Sequence, residues 1–592
     1  MENEEENLAG IESLPYEIII MILKYTTITG MVRFGSTCKQ FNELVKSSQG
    51  LWKMKFKTSV KSSVYRQIEK KTDGNWYNEV KEYSNLQAAI HTGVIDMASY
   101  YYRCNSEITL YDVKKFFTDS FSNGLKYYCT IDILQDLLGK GNKSFIRTTK
   151  KPYTLTEMYY SKVVVRHLVH PYLTIKWVQA HVRSDLPPEF VLNFFIQWVH
   201  PLKMHTDDEV NDAIDSLASM VETHLKKIHV SSSLPILELC VNGEITETQI
   251  IAAISQVLYK EKRMTPVPVA NLETLDVVKV IEMGCGHDVV IAAIYQAVAK
   301  RFGVWCELIA FPNHLFLELR GSQDRANQQV YKIQLDTGNL APKRTCPFSR
   351  HDGVPNNYKY CPDSLLQFVT SAFLMPMGSY KTWYMQNAIY LLDFLSTNPN
   401  SDNKYKTYLP YLLDNTHLPV LSTPIDVISL TDEQLKIITL LSYLTKTSPP
   451  HKKEEVVNRR PGDLKYAVGM VVQHRVYDYL CVVRGWERGG GGSDAPVAPG
   501  APPKLRPGPS QPFYIVVAVD QSDRYVAQEH LVDVPHPSRL YHLEDIISRE
   551  FTHFNGFAYE PNVHKQAEYP DDMAVCEQYR MRAINLFGSE PS

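Results

Sequence analysis

The chain has no apolar run near the roughly 18 residues needed to cross a bilayer. Its longest, such as Ile18–Leu23 and Val289–Tyr295, have six and seven. It also lacks an excess of either charge: 62 Lys and Arg against 65 Asp and Glu leave a net charge of -3. That balance supplies no global attraction to nucleic acid or to an anionic membrane. The ten cysteines are scattered, with no CxxC pair and no Cys/His spacing of a zinc site. They are expected to be reduced, buried thiols. P-loop, GxGxxG and HExxH motifs are missing as well. The N-terminus, MENEEENLAG, is acidic and does not follow the pattern of a secretory signal. These absences predict a cytoplasmic and/or nuclear protein with no membrane, no cofactor and no metal.

The 592 residues correspond to about four domains at ~150 residues each. With 44% hydrophobic and 21% charged residues the composition is that of globular protein. Two stretches break it. Gly489–Ser510, GGGGSDAPVAPGAPPKLRPGPS, has too little apolar surface to form a core and is predicted to be a linker or long loop. A natural low-complexity insertion and an engineered linker both fit it. Ser448–Gly462 crowds Pro, Lys and Glu ahead of a strand-like run. Between about 60 and 280 the spacing is mainly helical, as in Asp207–Val230, and Ser364–Lys446 reads the same way. Thr431-Asp-Glu-Gln434 has the form of a capping box.

At the N-terminus, Leu14-Pro15 opens a helical pattern in which Ile18, Ile19, Ile22 and Leu23 form an apolar stripe. Met31, Phe34, Cys38, Phe41 and Val45 follow at three- and four-residue spacing, and Leu51, Trp52 and Phe56 close the unit. So small a bundle cannot bury all this apolar surface, and a partner is implied. The segments LPYEIIIMIL, VRFGSTCKQFNELV and LWKMKF resemble an F-box. That resemblance implies binding of the Skp1 adaptor, and through it a cullin complex, by Leu14, Pro15, Ile18, Ile22, Leu23 and Trp52. The linking stretch KYTTITGM departs from the family in lacking its usual Asp-Leu.

In the central region Asp288 is the expected N-cap of an apolar helix, Val289–Phe302, with Lys300 and Arg301 in its last turn and Gly303 after it. Strand-like runs Val304–Phe311, Leu315–Arg320 and Val330–Leu335 follow. If the last two pair antiparallel, His314 lies near Asp336. Cys285, His314 and Asp336 in this order suggest a thiol site, with His activating the thiol and Asp orienting the imidazole. The segment from GCGHDVVIAAIYQAVAKRFGV to IQLDTG resembles the SirB1-like branch of the transglutaminase-like superfamily. In active members the nucleophile stands on the first turn of the helix, about fifteen residues before its closing Gly. Here that position holds Asp288, and Cys285 falls three residues early. The resemblance therefore implies a non-catalytic fold.

Near the C-terminus, Tyr466–Arg475, Tyr479–Trp486, Phe513–Asp520 and Tyr525–Leu531 are β-branched and aromatic runs that predict a small antiparallel barrel. YAVGMVVQHRVYDYLCVVRGW, QPFYIVVAVD and RYVAQEHLV resemble the HspQ/YccV-like domain, also called hemimethylated-DNA-binding-like. His474, Tyr479, Trp486, Pro512, Phe513 and Tyr514 carry the resemblance. Between Leu464 and Leu540 eight Lys and Arg face seven Asp and Glu, a poor footprint for DNA. A protein-recognition surface built on His474, Tyr479, Trp486, Phe513 and Tyr514 is expected instead.

The predicted architecture is multidomain α+β. It comprises an F-box (10–58), a helical spacer (60–240), a transglutaminase-like α+β domain (241–350), a helical extension (351–447) and a small antiparallel β-barrel (464–580) interrupted at 489–510. Together the resemblances imply the substrate receptor of a Skp1–cullin–F-box ubiquitin ligase, whose partners are protein substrates and whose DNA binding is not expected. The alternatives are a thiol hydrolase or transamidase using Cys285, His314 and Asp336, and a DNA-associated adaptor acting through the barrel.

Overall fold

The computed structural model describes residues 11–102, 108–116, 124–138, 154–182, 186–202, 205–228, 236–242, 244–311, 314–320, 330–342, 361–375, 382–395, 456–487 and 511–587. The Thr431–Gln434 capping box and the 489–510 insertion lie outside them.

The N-terminal bundle is α1 (Tyr16–Tyr25), α2 (Ile28–Gly35), α3 (Lys39–Ser47) and α4 (Gln49–Ser59). Pro15 is the N-cap of α1, one position before the first helical residue. The apolar series from Met31 to Val45 is two helices, because Cys38 turns the chain and its Sγ accepts the Phe41 amide at 3.4 Å. Helices α5 (Ser62–Lys71), α6 (Trp76–Tyr101) and α7 (Gly124–Leu138) follow, then α8 (Leu155–Val182), α9 (Pro188–Val199), α10 (Asp207–Ile228), α11 (Ile236–Val241) and α12 (Glu247–Ser255). The last of these continues as a π-helical turn, Gln256–Glu261.

Strand β1 (Thr265–Val267) pairs in parallel with β2 (Cys285–His287), on either side of α13 (Val277–Met283). Helix α14 (Asp288–Arg301) buries Val289–Tyr295 without a polar face. Beyond it, β3 (Cys306–Phe311), β4 (His314–Arg320), β5 (Val330–Ile333) and β6 (Leu340–Pro342) form one antiparallel sheet in that order. Helices α15 (Pro362–Leu374) and α16 (Trp383–Leu395) are the described part of the predicted helical extension.

The C-terminal sheet contains β7 (Val471–His474), β8 (Leu480–Glu487), β9 (Phe513–Ala518), β10 (Asp523–Ala527) and β11 (Leu531–Asp533), ordered β10-β9-β8-β7-β11 and antiparallel throughout. The predicted antiparallel strands are present, but among the described residues β10 and β11 do not pair, so they form an open sheet. A hairpin of β12 (Phe551–Phe554) and β13 (Tyr559–Pro561) and a helix Asp572–Phe587 complete the domain.

The chain divides into two compact units, Met1–His167 with Ile428–Ser592, and Leu168–Val427. The 60–240 spacer of the sequence reading is thus split, and the boundary falls inside α8. In the first unit Leu155 belongs to the core of the C-terminal sheet, and Thr156 donates to the Phe551 carbonyl at 3.0 Å. Tyr102 donates to Glu568 at 2.7 Å. In the second unit Trp198 of α9 donates to the Asn387 carbonyl at 3.0 Å, which ties α9 to α16.

Candidate functional site

Helix α1 has one face in the bundle and one in solvent. Ile19 and Leu23 are buried, whereas Leu14, Ile18 and Ile22 are 37%, 41% and 44% exposed. Pro15 is exposed too. Tyr16, Met21 and Tyr25 extend this face, with Tyr25 92% exposed. The four- and three-residue steps from Leu14 through Ile18 and Met21 to Tyr25 carried that signal in the sequence. Lys55 of α4 fixes the far end of α1 by donating to the Lys24 and Thr26 carbonyls at 2.5 and 2.6 Å.

Two of the predicted adaptor contacts have other positions. Leu23 points into the bundle because it shares the inner face with Ile19, one helical turn away. Trp52 is 1% exposed, and its indole N–H donates to the Val45 carbonyl at 2.7 Å. Both hold the bundle together from inside.

The candidate thiol site comes together only in part. Strands β4 and β5 are antiparallel with Leu317 opposite Ile333. This register runs His314, at the start of β4, toward the end of the sheet that carries Asp336 in the turn after β5. Asp336 is exposed, and its carboxylate accepts from the Thr337 hydroxyl at 3.4 Å. Cys285 is half-buried in β2, opposite Thr265, three residues before the helix. The N-cap is His287 rather than Asp288: its Nδ1 accepts the Val289 amide at 3.3 Å, and Asp288 is the first helical residue. Burial lowers the His287 pKa, against the pull of Asp288. The helix N-terminus, where a thiol would gain thiolate character, therefore carries a carboxylate.

The C-terminal residues singled out by sequence are mostly structural. Trp486 and Tyr514 are in the core. The Trp486 indole N–H donates to Asp572 at 3.0 Å, and the Tyr514 hydroxyl donates to Gln528 at 2.8 Å. His474 is also buried, and its Nδ1 accepts the Val476 and Tyr477 amides at 3.2 and 3.1 Å, closing the β7–β8 turn. Burial, the neighbouring His530 and Arg524 all push its pKa down. Tyr479 and Phe513 remain half-exposed. Arg524 lies 4.1 Å over the Tyr479 ring, and Phe513 stacks on Tyr525 with centroids 4.8 Å apart. Three arginines of the domain are held in internal ion pairs. Arg484 pairs with Glu550 at 2.5 Å and Asp523 at 2.6 Å, Arg460 with Asp572 at 2.9 Å, and Arg524 with Asp520.

Three family models match the chain in sequence. The F-box-like model covers residues 11–58. A transglutaminase-like superfamily model covers 208–352, beginning with α10. The model described as hemimethylated DNA-binding protein YccV like covers 464–557. The relatives extend the likeness beyond these segments. Human F-box only protein 21 is 23% identical over 96% of this chain and 93% of its own length. The proteins of the same name from Mus musculus and Pongo abelii are 24% and 23% identical over 95% and 96% of the chain. The likeness to these relatives runs over nearly the whole chain. No solved structure matches it.

Proposed function

We propose that this chain is the substrate-recognition subunit of a Skp1–cullin–F-box ubiquitin ligase. The observation that carries the reading is the α1 face of Leu14, Ile18 and Ile22, exposed on a bundle whose own core is filled by Ile19, Leu23, Phe41, Val45, Trp52 and Phe56. An apolar face of this kind, rimmed by polar residues, is what a protein partner covers. The F-box-like match over the same residues supports the Skp1 adaptor as that partner. The chain would hold its targets close to a ubiquitin-loaded enzyme carried by the complex. Its contribution to rate is proximity rather than a catalytic side chain.

The placement of Asp288 on the first turn of α14, with Cys285 outside the helix, supports a non-catalytic reading of the transglutaminase-like domain. The internal pairing of Arg460, Arg484 and Arg524 likewise favours protein over DNA as the ligand of the C-terminal domain. Tyr479 and Phe513 are the part of the predicted recognition surface open to solvent, and we assign target contact to them. The test is reconstitution: chain, Skp1, cullin complex and ubiquitin-conjugating enzyme should ubiquitinate a captured target. Omitting the chain, or mutating Ile18 and Ile22 to Asp, should abolish transfer. Transfer that persists with the doubly mutated chain would refute the assignment.

A further inference from the structure

From Lys39 to Lys71 the chain carries nine Lys and Arg against two Glu, within a protein whose net charge is -3. Part of this positive charge is spent on the fold. Lys55 holds the end of α1, and Lys61 pairs with Asp132 of α7 at 2.9 Å. Lys53 and Lys57 of α4 and Arg66, Lys70 and Lys71 of α5 are exposed. Glu69 is the only acid on these two helices, and Lys53 lies 2.9 Å from it. Among the described residues no carboxylate pairs with Lys57, Arg66, Lys70 or Lys71.

Contacts around one tyrosine bring the two helices' cations onto a single face. The Tyr65 hydroxyl of α5 donates to Glu69 at 2.7 Å, and Glu69 in turn holds the Lys53 ammonium of α4. The Lys57 ammonium lies 5.6 Å from the centre of the same Tyr65 ring, and that of Lys53 lies 5.4 Å from the Trp76 ring. Tyr65 and Trp76 are buried and stacked on each other, with centroids 5.5 Å apart, so both ammoniums rest on a rigid base. Arg66 and Lys70 stand one helical turn apart on α5, each next in sequence to a residue of this contact. Lys53 with Lys57, and Arg66 with Lys70, are like charges at i, i+4, a spacing that destabilises a helix. A local cost of this kind, left uncompensated within the chain, is expected where a surface serves a ligand.

The complement of such a face is a run of anionic groups. Nucleic acid and membranes fit it poorly. Among the described residues between Val32 and Ile95 no large hydrophobic side chain is exposed, so none can stack on bases or enter lipid. We propose that the α4–α5 face binds an acidic segment of a protein partner, whose carboxylates pair with Lys57, Arg66 and Lys70. The Arg66 guanidinium can take a carboxylate in a two-bond pair, and the lysines act as point charges beside it. Helix α5 lies beyond the F-box-like match at 11–58, and the proposal adds a second surface to the adaptor face of α1.

The test is fluorescence anisotropy of a fluorescein-labelled octaglutamate peptide titrated with the full chain at low salt. Lys57→Glu with Arg66→Glu should weaken binding at least tenfold. Lys260→Glu with Lys465→Glu makes the same charge change on exposed lysines elsewhere and should weaken it less than twofold. Circular dichroism checks the fold of each variant. Should the first reversal melt early, Lys57→Gln with Arg66→Gln should still give at least a threefold loss. Four results would each overturn the proposal. The first is an equal effect of the two double reversals. The second is tighter binding of a single-stranded octanucleotide, or of phosphatidylserine vesicles, that the Lys57 and Arg66 reversal abolishes. The third is displacement of the peptide by Skp1, which would make this face part of the adaptor surface. The fourth is a rise in affinity when Glu2, Glu4, Glu5 and Glu6 are changed to Gln, which would make the chain's own acidic N-terminus the occupant.

Discussion

The indole N–H of Trp52 donates to the carbonyl of Val45 at 2.7 Å, so the tryptophan that closes the N-terminal bundle joins α4 to α3 from within. Trp52→Ala should cost roughly 3–5 kcal/mol, the usual loss for a large buried aromatic, and more than a surface change in the same helix. The expected outcome is an early unfolding transition of the bundle, with Skp1 capture lost as a consequence. Urea denaturation followed by circular dichroism checks it.

Asp572 plays the corresponding part in the C-terminal domain. It is 1% exposed and accepts from the Val468 amide at 2.7 Å, the Trp486 indole at 3.0 Å and Arg460 at 2.9 Å. Asp572→Asn would leave the Arg460 guanidinium with a neutral partner in a buried place, and a loss of about 3–5 kcal/mol is expected. Differential scanning calorimetry of the variant, read on the transition of this domain, measures it.

What the sequence made legible followed from period and spacing. Helix α10 was expected over 207–230 and is Asp207–Ile228, because its stripe of Val210, Ile214, Leu217, Val221 and Leu225 is the face it buries. The exposed part of α1 was legible for the same reason. Burial without a period was not. Trp486 and Tyr514 look like a binding surface in sequence, since an aromatic in a strand has the same pattern whether it faces a core or a ligand. The unit boundary inside α8 was hidden because the helix continues through it.

Two histidines should give pH dependences of opposite sign. His205 lies 3.3 Å from Asp276, whose hydrogen bond outweighs burial and, with Glu209, raises the histidine's pKa. Its contribution is therefore full below the ordinary histidine value of about 6.5 and is lost as pH rises through the raised value. The pKa of His474 is lowered, so its contribution is present above about 6.5 and is lost as pH falls through the depressed value. Hydrogen exchange should show the first turn of α13, capped by Asp276, opening more readily at pH 8 than at pH 6. The turn at residues 475–478 should open more readily at pH 5 than at pH 7. His205→Gln and His474→Gln should each remove the dependence in their own segment.

Cys285→Ser should leave target ubiquitination unchanged, because the thiol is in β2 and outside the field of the α14 N-terminus. A reconstituted assay comparing initial rates of the two proteins, with Skp1 binding as the folding control, is the check.

The central claim is that the exposed face of α1 binds the adaptor, and isothermal titration of purified Skp1 into the full chain tests it most directly. Leu14→Ala, Ile18→Ala and Ile22→Ala together remove three exposed aliphatic side chains while Ile19 and Leu23 keep the bundle folded. Burying such a side chain stabilises by roughly 1.5–3 kcal/mol, so affinity should fall at least a hundredfold with the melting temperature nearly unchanged. Wild-type affinity in the triple variant would contradict the account.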